Sequence, residues 1–396
     1  MNEVIQVVWY VIQVVIAINL VSPALLAVLY LLIPKKRHLR SVTDFPQADY
    51  AIIVTAYEQT HMLPAVVSSI LRLRYSRYLI YVVADNCDIS QLNFDDERVI
   101  LLRPPTVLAS NTQSHFFAIK HFKRPHNRLT IIDSDNLVDP EYLNELDGYF
   151  ARGFEAIQGV RKAKNMNSFY ASLDAARDLY YHFYDGKVLF HIGSSATLAG
   201  SGMAFTVDLY RSCLEHLDIV GAGFDKVLQY EVVKRGKRIA YAGGAMVYDE
   251  KTAYPAQLVN QRARWINTWF KYFSFGFSLS GMGIRRFNWN QIVFGLTLLR
   301  PPLFMFLLLA IAFTAINFVV MPTLAVVWGI AIVIFVLGFL LALIGSSADR
   351  RIYRALVGVP LFMFYQLTSL IKARKANKIS VATRHDQRKQ TEDVER

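Results

Sequence analysis

The sequence predicts an α/β domain built on a mostly parallel sheet and held between helices that cross a membrane. Three observations carry that prediction. Short, continuous apolar runs alternate with helical patterns between residues 51 and 132, as in a sheet buried on both faces. Polar clusters follow three of those runs directly. Long charge-free stretches near both ends are bordered by Lys and Arg, as membrane spans are.

Taken in order, Val4 to Ile33 is thirty residues without a charge, more than the roughly 20 that a spanning helix needs. Its length, with no basic segment ahead of it, argues against a cleavable signal peptide. Lys35, Lys36, Arg37 and Arg40 follow at once, so that end is expected to be cytoplasmic. Ala51 to Val54 reads as a first strand, ending in Thr55-Ala56-Tyr57-Glu58. Leu63, Val66, Val67, Ile70 and Leu71 then repeat at helical spacing. Tyr78 to Ala84 is a second strand running into Asp85-Asn86, and Val99 to Leu102 a third. Phe116 to Phe122 reads as helix and Leu129 to Ile132 as a fourth strand, followed by Asp133-Ser134-Asp135. Pro301 to Ala348 is again charge-free, forty-eight residues that Met321-Pro322-Thr323 divides into two spans, about 301–320 and 324–345. Ala355 to Ile371 is a seventeen-residue apolar run between two basic clusters, and the sequence leaves open whether it crosses or lies in the interface. The expected division is an N-terminal span with its basic flank over 1–40, a cytosolic domain over 41–264, interfacial helices over 265–300, membrane helices over 301–371 and a basic tail over 372–396.

Composition narrows the function classes. Charged residues make up 19%, against about 25% in a soluble domain. The net charge of +12 does not point to nucleic acid, because residues 346–396 carry eleven Lys/Arg against five Asp/Glu and four more cations sit at 35–40. Basic residues placed that way flank spans and do not line a groove. Two cysteines, Cys87 and Cys213, provide no disulfide framework and fit a reducing compartment.

In parallel sheets ligands collect beyond the carboxyl ends of strands, where Thr55–Glu58, Asp85–Asp88 and Asp133–Asp135 are expected. Carboxylates two residues apart, as in Asp133 and Asp135, can share one hard divalent cation that bridges to a diphosphate; the alternative is a loop capping the next helix. Gly200 to Phe205 is a small-residue loop in which glycine allows close backbone approach to a ligand, or a plain turn. Asp225 heads a helical stretch, as a general base or as an anion on the helix dipole. Gln261-Arg262-Ala263-Arg264-Trp265 precedes Trp269, Phe273 and Phe277, which share a face with Trp265 as in an interfacial helix. Arginine there can clamp phosphate and tryptophan can stack on a sugar, or both can anchor the chain to the membrane surface.

These motifs, in this order, resemble the membrane-integrated family-2 glycosyltransferases, the group of cellulose, hyaluronan, chitin-oligosaccharide and poly-N-acetylglucosamine synthases. The resemblance implies a GT-A fold, a nucleotide-binding sheet joined to an acceptor-binding half, with the catalytic domain on the cytoplasmic face of a bacterial inner membrane. It implies inverting transfer from a nucleotide-sugar, a UDP-sugar foremost, to a growing polysaccharide or oligosaccharide. The alternatives are a lipid or lipid-linked acceptor in single transfers, and a catalytically silent membrane partner. Thr55, Ala56, Tyr57, Glu58, Asp85, Asp133, Gln261 and Arg264 would hold the donor. Asp135 with Asp133 would hold Mg²⁺ or Mn²⁺, Asp225 would be the base, and Gly202 and Trp265 would meet the acceptor. Expected partners are the donor, a carbohydrate or lipid-linked acceptor, membrane lipids and a homo-oligomer or export partner, with no nucleic acid. Two positions depart from the family: Gly223-Phe224 stand before Asp225 where Thr-Glu is usual, and Ser114-His115 replace a Gly-Lys pair.

Overall fold

Among the described residues, eight strands form one sheet in the order β3-β2-β1-β4-β7-β6-β8-β5. Its strands are β1 (Tyr50–Tyr57), β2 (Tyr78–Asp85), β3 (Val99–Leu102), β4 (Arg128–Asp133), β5 (Leu137–Val138), β6 (Ala156–Ala163), β7 (Met203–Thr206) and β8 (Ile239–Asp249). The computed structural model describes residues 3–34, 47–219 and 221–375; the basic cluster at 35–40 and the tail from 376 lie outside the described residues. β3, β2, β1 and β4 pair in parallel, whereas β7 runs antiparallel to both β4 and β6. The four expected strands are therefore the parallel half, and each lies where the apolar runs put it.

Residues alternate across that half. Ile52, Val54, Ile80 and Val82 face one apolar core with α2 (Leu63–Leu71) and α4 (Tyr142–Phe150). Ile53, Tyr81, Val83 and Ile131 face the other, with α3 (Asn111–Lys120), α7 (Val207–Leu214) and α8 (Phe224–Lys234). Helix α3 starts at Asn111, five residues before the expected start, because the Ser110 hydroxyl caps it by accepting the Gln113 N–H.

Between β6 and β7 the chain makes α5 (Phe169–Tyr181), a π-helical segment (His182–Val188) and a last turn, α6 (Leu189–His191). After β8 come α9 (Pro255–Tyr272), α10 (Phe275–Arg286) and α11 (Trp289–Leu299). The aromatic stripe expected on one helix is split, since α9 ends at Tyr272, yet Trp269 still stacks on Phe273 with centroids 5.3 Å apart. Helix α11 is fastened to the sheet domain: its Gln291 side chain donates to the Val233 carbonyl at 3.0 Å and the Trp289 indole to the Ile192 carbonyl at 2.9 Å.

Among the described residues, four helical stretches are long and apolar enough to cross a membrane: α1 (Glu3–Leu32), α12 (Leu303–Val320), α13 (Pro322–Gly345), and Arg350–Lys372, which comprises α14 (Arg350–Ala355), a 3₁₀ turn and α15 (Val359–Lys372). α1, α12 and α13 form one bundle with the π segment, around Leu20, Phe183, Phe313 and Trp328. Inside it the Gln13 side-chain oxygen accepts from Asn317 at 2.6 Å and from the Trp328 indole at 2.7 Å, polar pairing that orders apolar helices. The Tyr10 hydroxyl reaches Met321 at one end of the bundle, and His191 meets the Ile33 carbonyl at the other. The N-terminal end of α1 and the Met321 turn thus share one side, and the sheet domain occupies the other. Helix α15 packs instead on α9 and α5: Phe362 joins Leu173 and Leu258, and Leu370 joins Ile266.

Candidate active site

Strand register aligns three of the expected clusters. Thr55 pairs with Asp133 across β1–β4, and Tyr57 with Asp85 across β1–β2, so all three stand at one edge. The chain there adopts costly backbone. Glu58, Asn86 and Ala109 have φ of 60°, 52° and 47°, three of the five non-glycine residues with positive φ among the described residues. Such outliers persist where surrounding contacts hold them, and they gather at ligand sites. The contacts are visible: Asn86 reaches the Glu58 carboxylate, and Asp85, buried, accepts the Leu108 and Ala109 N–H groups at 2.9 and 2.7 Å. Asp85 thereby ties β2 to the loop that leads into α3.

Beside this edge lies a cavity of about 1020 Å³. Its wall brings together Asp133, Asp135, Gly200, Asp225, Gln261, Arg264 and Trp265. Thr55, Ala56, Tyr57, Glu58 and Asp85 stand outside its walls, at the adjoining strand ends. Gly202 is also outside: its N–H donates to Ile131, its carbonyl accepts from Gly159, and a Cβ on it would sit 3.0 Å from Val247. In the same loop the Ser201 hydroxyl accepts the Asp133 N–H at 3.0 Å and the Asn136 side chain at 2.7 Å, which fixes the start of the Asp133–Asp135 turn.

Asp225 opens α8 and meets Lys226 at 3.1 Å, while that lysine also donates to the Leu198 carbonyl. The departure just before it has a steric cause. Gly223 has φ of 101°, and a Cβ there would lie 2.6 Å from the Thr268 methyl and 2.8 Å from the Tyr272 ring, so α9 leaves room only for glycine. The other departure touches this one: His115 and Phe224 rings meet at 5.2 Å, and the His115 Nδ1 bonds the Tyr210 hydroxyl at 2.7 Å. Burial pushes the His115 imidazole down to about 3, so a neutral ring fills this core. The two departures are one packing unit.

A set of charged residues that the sequence reading missed lines the wall, through Arg161, Arg177, Asp178, Asp249 and Arg262, or backs it. Arg161 pairs with Asp249 at 3.1 Å and donates to the Ala199 carbonyl at 2.7 Å. Lys251 bridges Asp249, at 2.7 Å, and Asp178. Arg177 binds Asp178 at 2.7 Å and lies 3.5 Å from Asp174, which also pairs with Arg262. Burial alone would raise the Asp178 carboxyl, but Lys251, Arg177 and Arg161 outweigh it and hold it well below the ordinary carboxylate range. Burial lowers Lys251, and Asp178 and Asp249 more than restore it. Both partners therefore remain ionised. Arg177 and Arg262 stand over the Trp265 ring, 4.2 and 4.0 Å from its centroid, within cation–π range. The Gln261 side-chain oxygen accepts from the Thr252 hydroxyl at 3.0 Å, and burial draws the Arg264 guanidinium below its ordinary value. The sequence carries no distinct signal for the missed set, because Asp174, Arg177 and Asp178 fall at spacings that a solvated helix face also shows.

The comparisons with known proteins bear on the fold and the family. A structure of the mannosyltransferase PcManGT from Pyrobaculum calidifontis, in complex with GDP-Man and Mn²⁺, matches with a TM-score of 0.55 at 14% identity, covering 91% of this chain and 98% of that one. That likeness is one of fold, the GT-A arrangement. S. aureus TarS matches more weakly, with a TM-score of 0.38 at 14% identity over 55% of this chain and 39% of that one. No curated protein matches the chain. The model of the glycosyltransferase-like family 2 matches residues 46–268, more than half of the 396 and all of the sheet, and the protein belongs to that family.

Proposed function

We propose that the protein is an inverting glycosyltransferase that moves a sugar from a nucleotide-sugar to an acceptor held at the membrane. The observation that carries this reading is the single cavity wall shared by Asp133, Asp135, Asp225, Gln261, Arg264 and Trp265, residues far apart in sequence that suit the two halves of one displacement. Asp225 takes the proton of the acceptor hydroxyl. That oxygen bonds to the anomeric carbon from the side opposite the diphosphate, the bond to the diphosphate breaks, and the nucleoside diphosphate leaves. Gln261 and Arg264 orient the diphosphate, Arg264 by charge-assisted hydrogen bonds. The edge formed by Thr55–Glu58 and Asp85 receives the nucleoside.

Asp133 and Asp135 fit a hard divalent cation. Both line the cavity, and two carboxylates would leave open positions for diphosphate oxygens and water, as Mg²⁺ or Mn²⁺ sites with nucleotides do. Bound there, the cation supplies charge neutralisation of the leaving diphosphate. The neighbour's complex with GDP-Man and Mn²⁺ supports the same pairing of donor and cation. The N-terminus and the Met321 turn are assigned to the outer side and the sheet domain to the cytoplasm, from the basic residues at 35–40 and Arg350, Arg351 and Arg354.

The test is release of nucleoside diphosphate by purified protein supplied with a panel of UDP- and GDP-sugars, with and without a chelator. Cation-dependent turnover of one donor is the expected result. No release from any donor, together with no cation-dependent binding of UDP or GDP, would overturn the assignment and favour the silent membrane partner.

A further inference from the structure

The same cavity continues away from the carboxylates into the membrane helices. Its wall there is made by Leu307 and Ile311 of α12, Phe335 and Phe339 of α13, and Phe362 and Met363 of α15. Ile311 is 55% exposed while lining this wall, so the apolar end of the cavity is not closed over by protein. A soluble sugar has no use for such a wall, whereas an acyl or prenyl chain does.

At the junction of the polar and apolar parts stands Arg262. Its side chain is only 3% exposed. One terminal nitrogen pairs with Asp174, while its Nε and the other terminal nitrogen have no hydrogen-bond partner. Two more buried donors on this wall lack an acceptor, the Arg300 Nε and the Trp269 indole N–H. A buried donor without a partner costs about 1–3 kcal/mol, and a charged one more. A wall with surplus donors is matched by a ligand rich in oxygen acceptors and negative charge. Arg262 cannot relieve the mismatch by losing its proton: burial and the neighbouring Arg177 lower it only to about 10.

We propose, resting on the glycosyl-transfer reading above, that the acceptor is a lipid-linked phosphate. Its phosphate binds the unpartnered edge of Arg262, and its chain lies along α12, α13 and α15. Trp265 then acts first as a positioning residue, since its ring holds Arg262 and Arg177 in place. The acceptor hydroxyl that reaches Asp225 belongs to the group carried on that phosphate.

The experiment uses the full-length protein in nanodiscs. Binding is measured for a polyprenyl phosphate, for the matching polyprenol, for inorganic phosphate and, separately, for UDP and GDP with Mn²⁺. Polyprenyl phosphate is expected to bind at least tenfold tighter than polyprenol. Arg262→Gln should erase most of that difference and leave nucleotide binding within twofold. Ile311→Trp, at an exposed position away from the charges, should weaken the lipid arm alone, so a folding defect in the arginine variant does not leave the proposal unexamined. Equal binding of polyprenol and polyprenyl phosphate would overturn the phosphate site. Loss of nucleotide binding in Arg262→Gln, in step with loss of the lipid, would make the guanidinium a donor contact. Tight binding of inorganic phosphate with none of the lipid would overturn the lipid source. Absence of nucleotide binding by the unmodified protein would count against the glycosyl-transfer reading itself, which the lipid arms do not address.

Discussion

Gly223→Ala is the most informative substitution at this site, because its cost divides into two parts that the structure measures separately. The φ of 101° is a conformation that an L side chain adopts at about 1–2 kcal/mol. The added Cβ would stand 2.6 Å from the Thr268 methyl and 2.8 Å from the Tyr272 ring, and overpacking of that kind costs about 1–3 kcal/mol. The expected total is about 2–5 kcal/mol, which for a domain near 200 residues lowers Tm by roughly 4–20 °C. Gly153→Ala is the control. Its φ is 85° with nothing within 4 Å of the added carbon, so it should carry only the conformational part, about 1–2 kcal/mol. Heat denaturation of both variants in one detergent, followed by intrinsic fluorescence, measures the difference. Because Gly223 sets the start of α8, transfer should also fall by at least tenfold in Gly223→Ala and stay near normal in Gly153→Ala. Equal Tm shifts in the two variants, or full transfer by Gly223→Ala, would refute the claim that contact with α9 keeps this position a glycine and positions Asp225.

Four further outcomes are expected. Asp225→Asn should lose about 10²–10⁴ in transfer rate while donor affinity, followed by nucleotide titration, stays within a few-fold; a parallel loss of affinity would make Asp225 a donor contact. Asp135→Ala should abolish cation-dependent donor turnover without changing Tm by more than a few degrees, and full activity at limiting cation would sink the assignment. Trp265→Ala should cut transfer far more than Trp269→Ala, since only Trp265 carries the two guanidinium groups; equal effects on transfer and on Tm would reduce both to anchors. His115 is neutral in the fold down to about pH 3, whereas in the unfolded chain it takes a proton near pH 6.5. Its contribution to stability is therefore complete above pH 6.5 and lost as pH falls from there toward 3, by up to about 1.4 kcal/mol per unit. His115→Asn should flatten that slope in denaturant titrations run across the window.

The parallel half of the sheet was legible because its central strands β1 and β2 are buried on both faces and run apolar for four or more residues, as in Ile80 to Ala84, while the half-buried edge strand β3 is apolar throughout. The second half was not. β6 carries Gln158, Gly159, Arg161 and Lys162, and β8 carries the pair Gly243-Gly244; these strands border the cavity and spend their side chains on polar contacts. The motif residues Asp133, Asp135, Asp225, Gln261, Arg264 and Trp265 were legible as types in order, and all line the cavity. Asp174, Arg177 and Asp178 were not, since on a helix they look the same as a solvated face. Only the arrival of α9 and the membrane helices buries them, and no local pattern encodes that arrival. The aromatic series through Phe277 was read as one helix, and nothing as strong as Pro or Gly between Tyr272 and Phe275 announced the break.

Helix α9 serves two environments at once. One flank carries Gln261, Arg264 and Trp265 into the cavity. Other residues of α9 pack on the apolar helices: Ile266 with Phe304 and Ala373, and Leu258 with Phe362, while the Asn267 side chain donates to the Ala373 carbonyl at 2.9 Å. The cavity wall and the packing against the apolar helices are thus carried by one rod. With those helices in a bilayer, as proposed, a rate constant for transfer belongs to the protein together with its solvent of lipid or detergent. Kinetic comparisons between variants hold only at a fixed micelle or bilayer, and a change of acyl length is itself a mutation of the active site by other means.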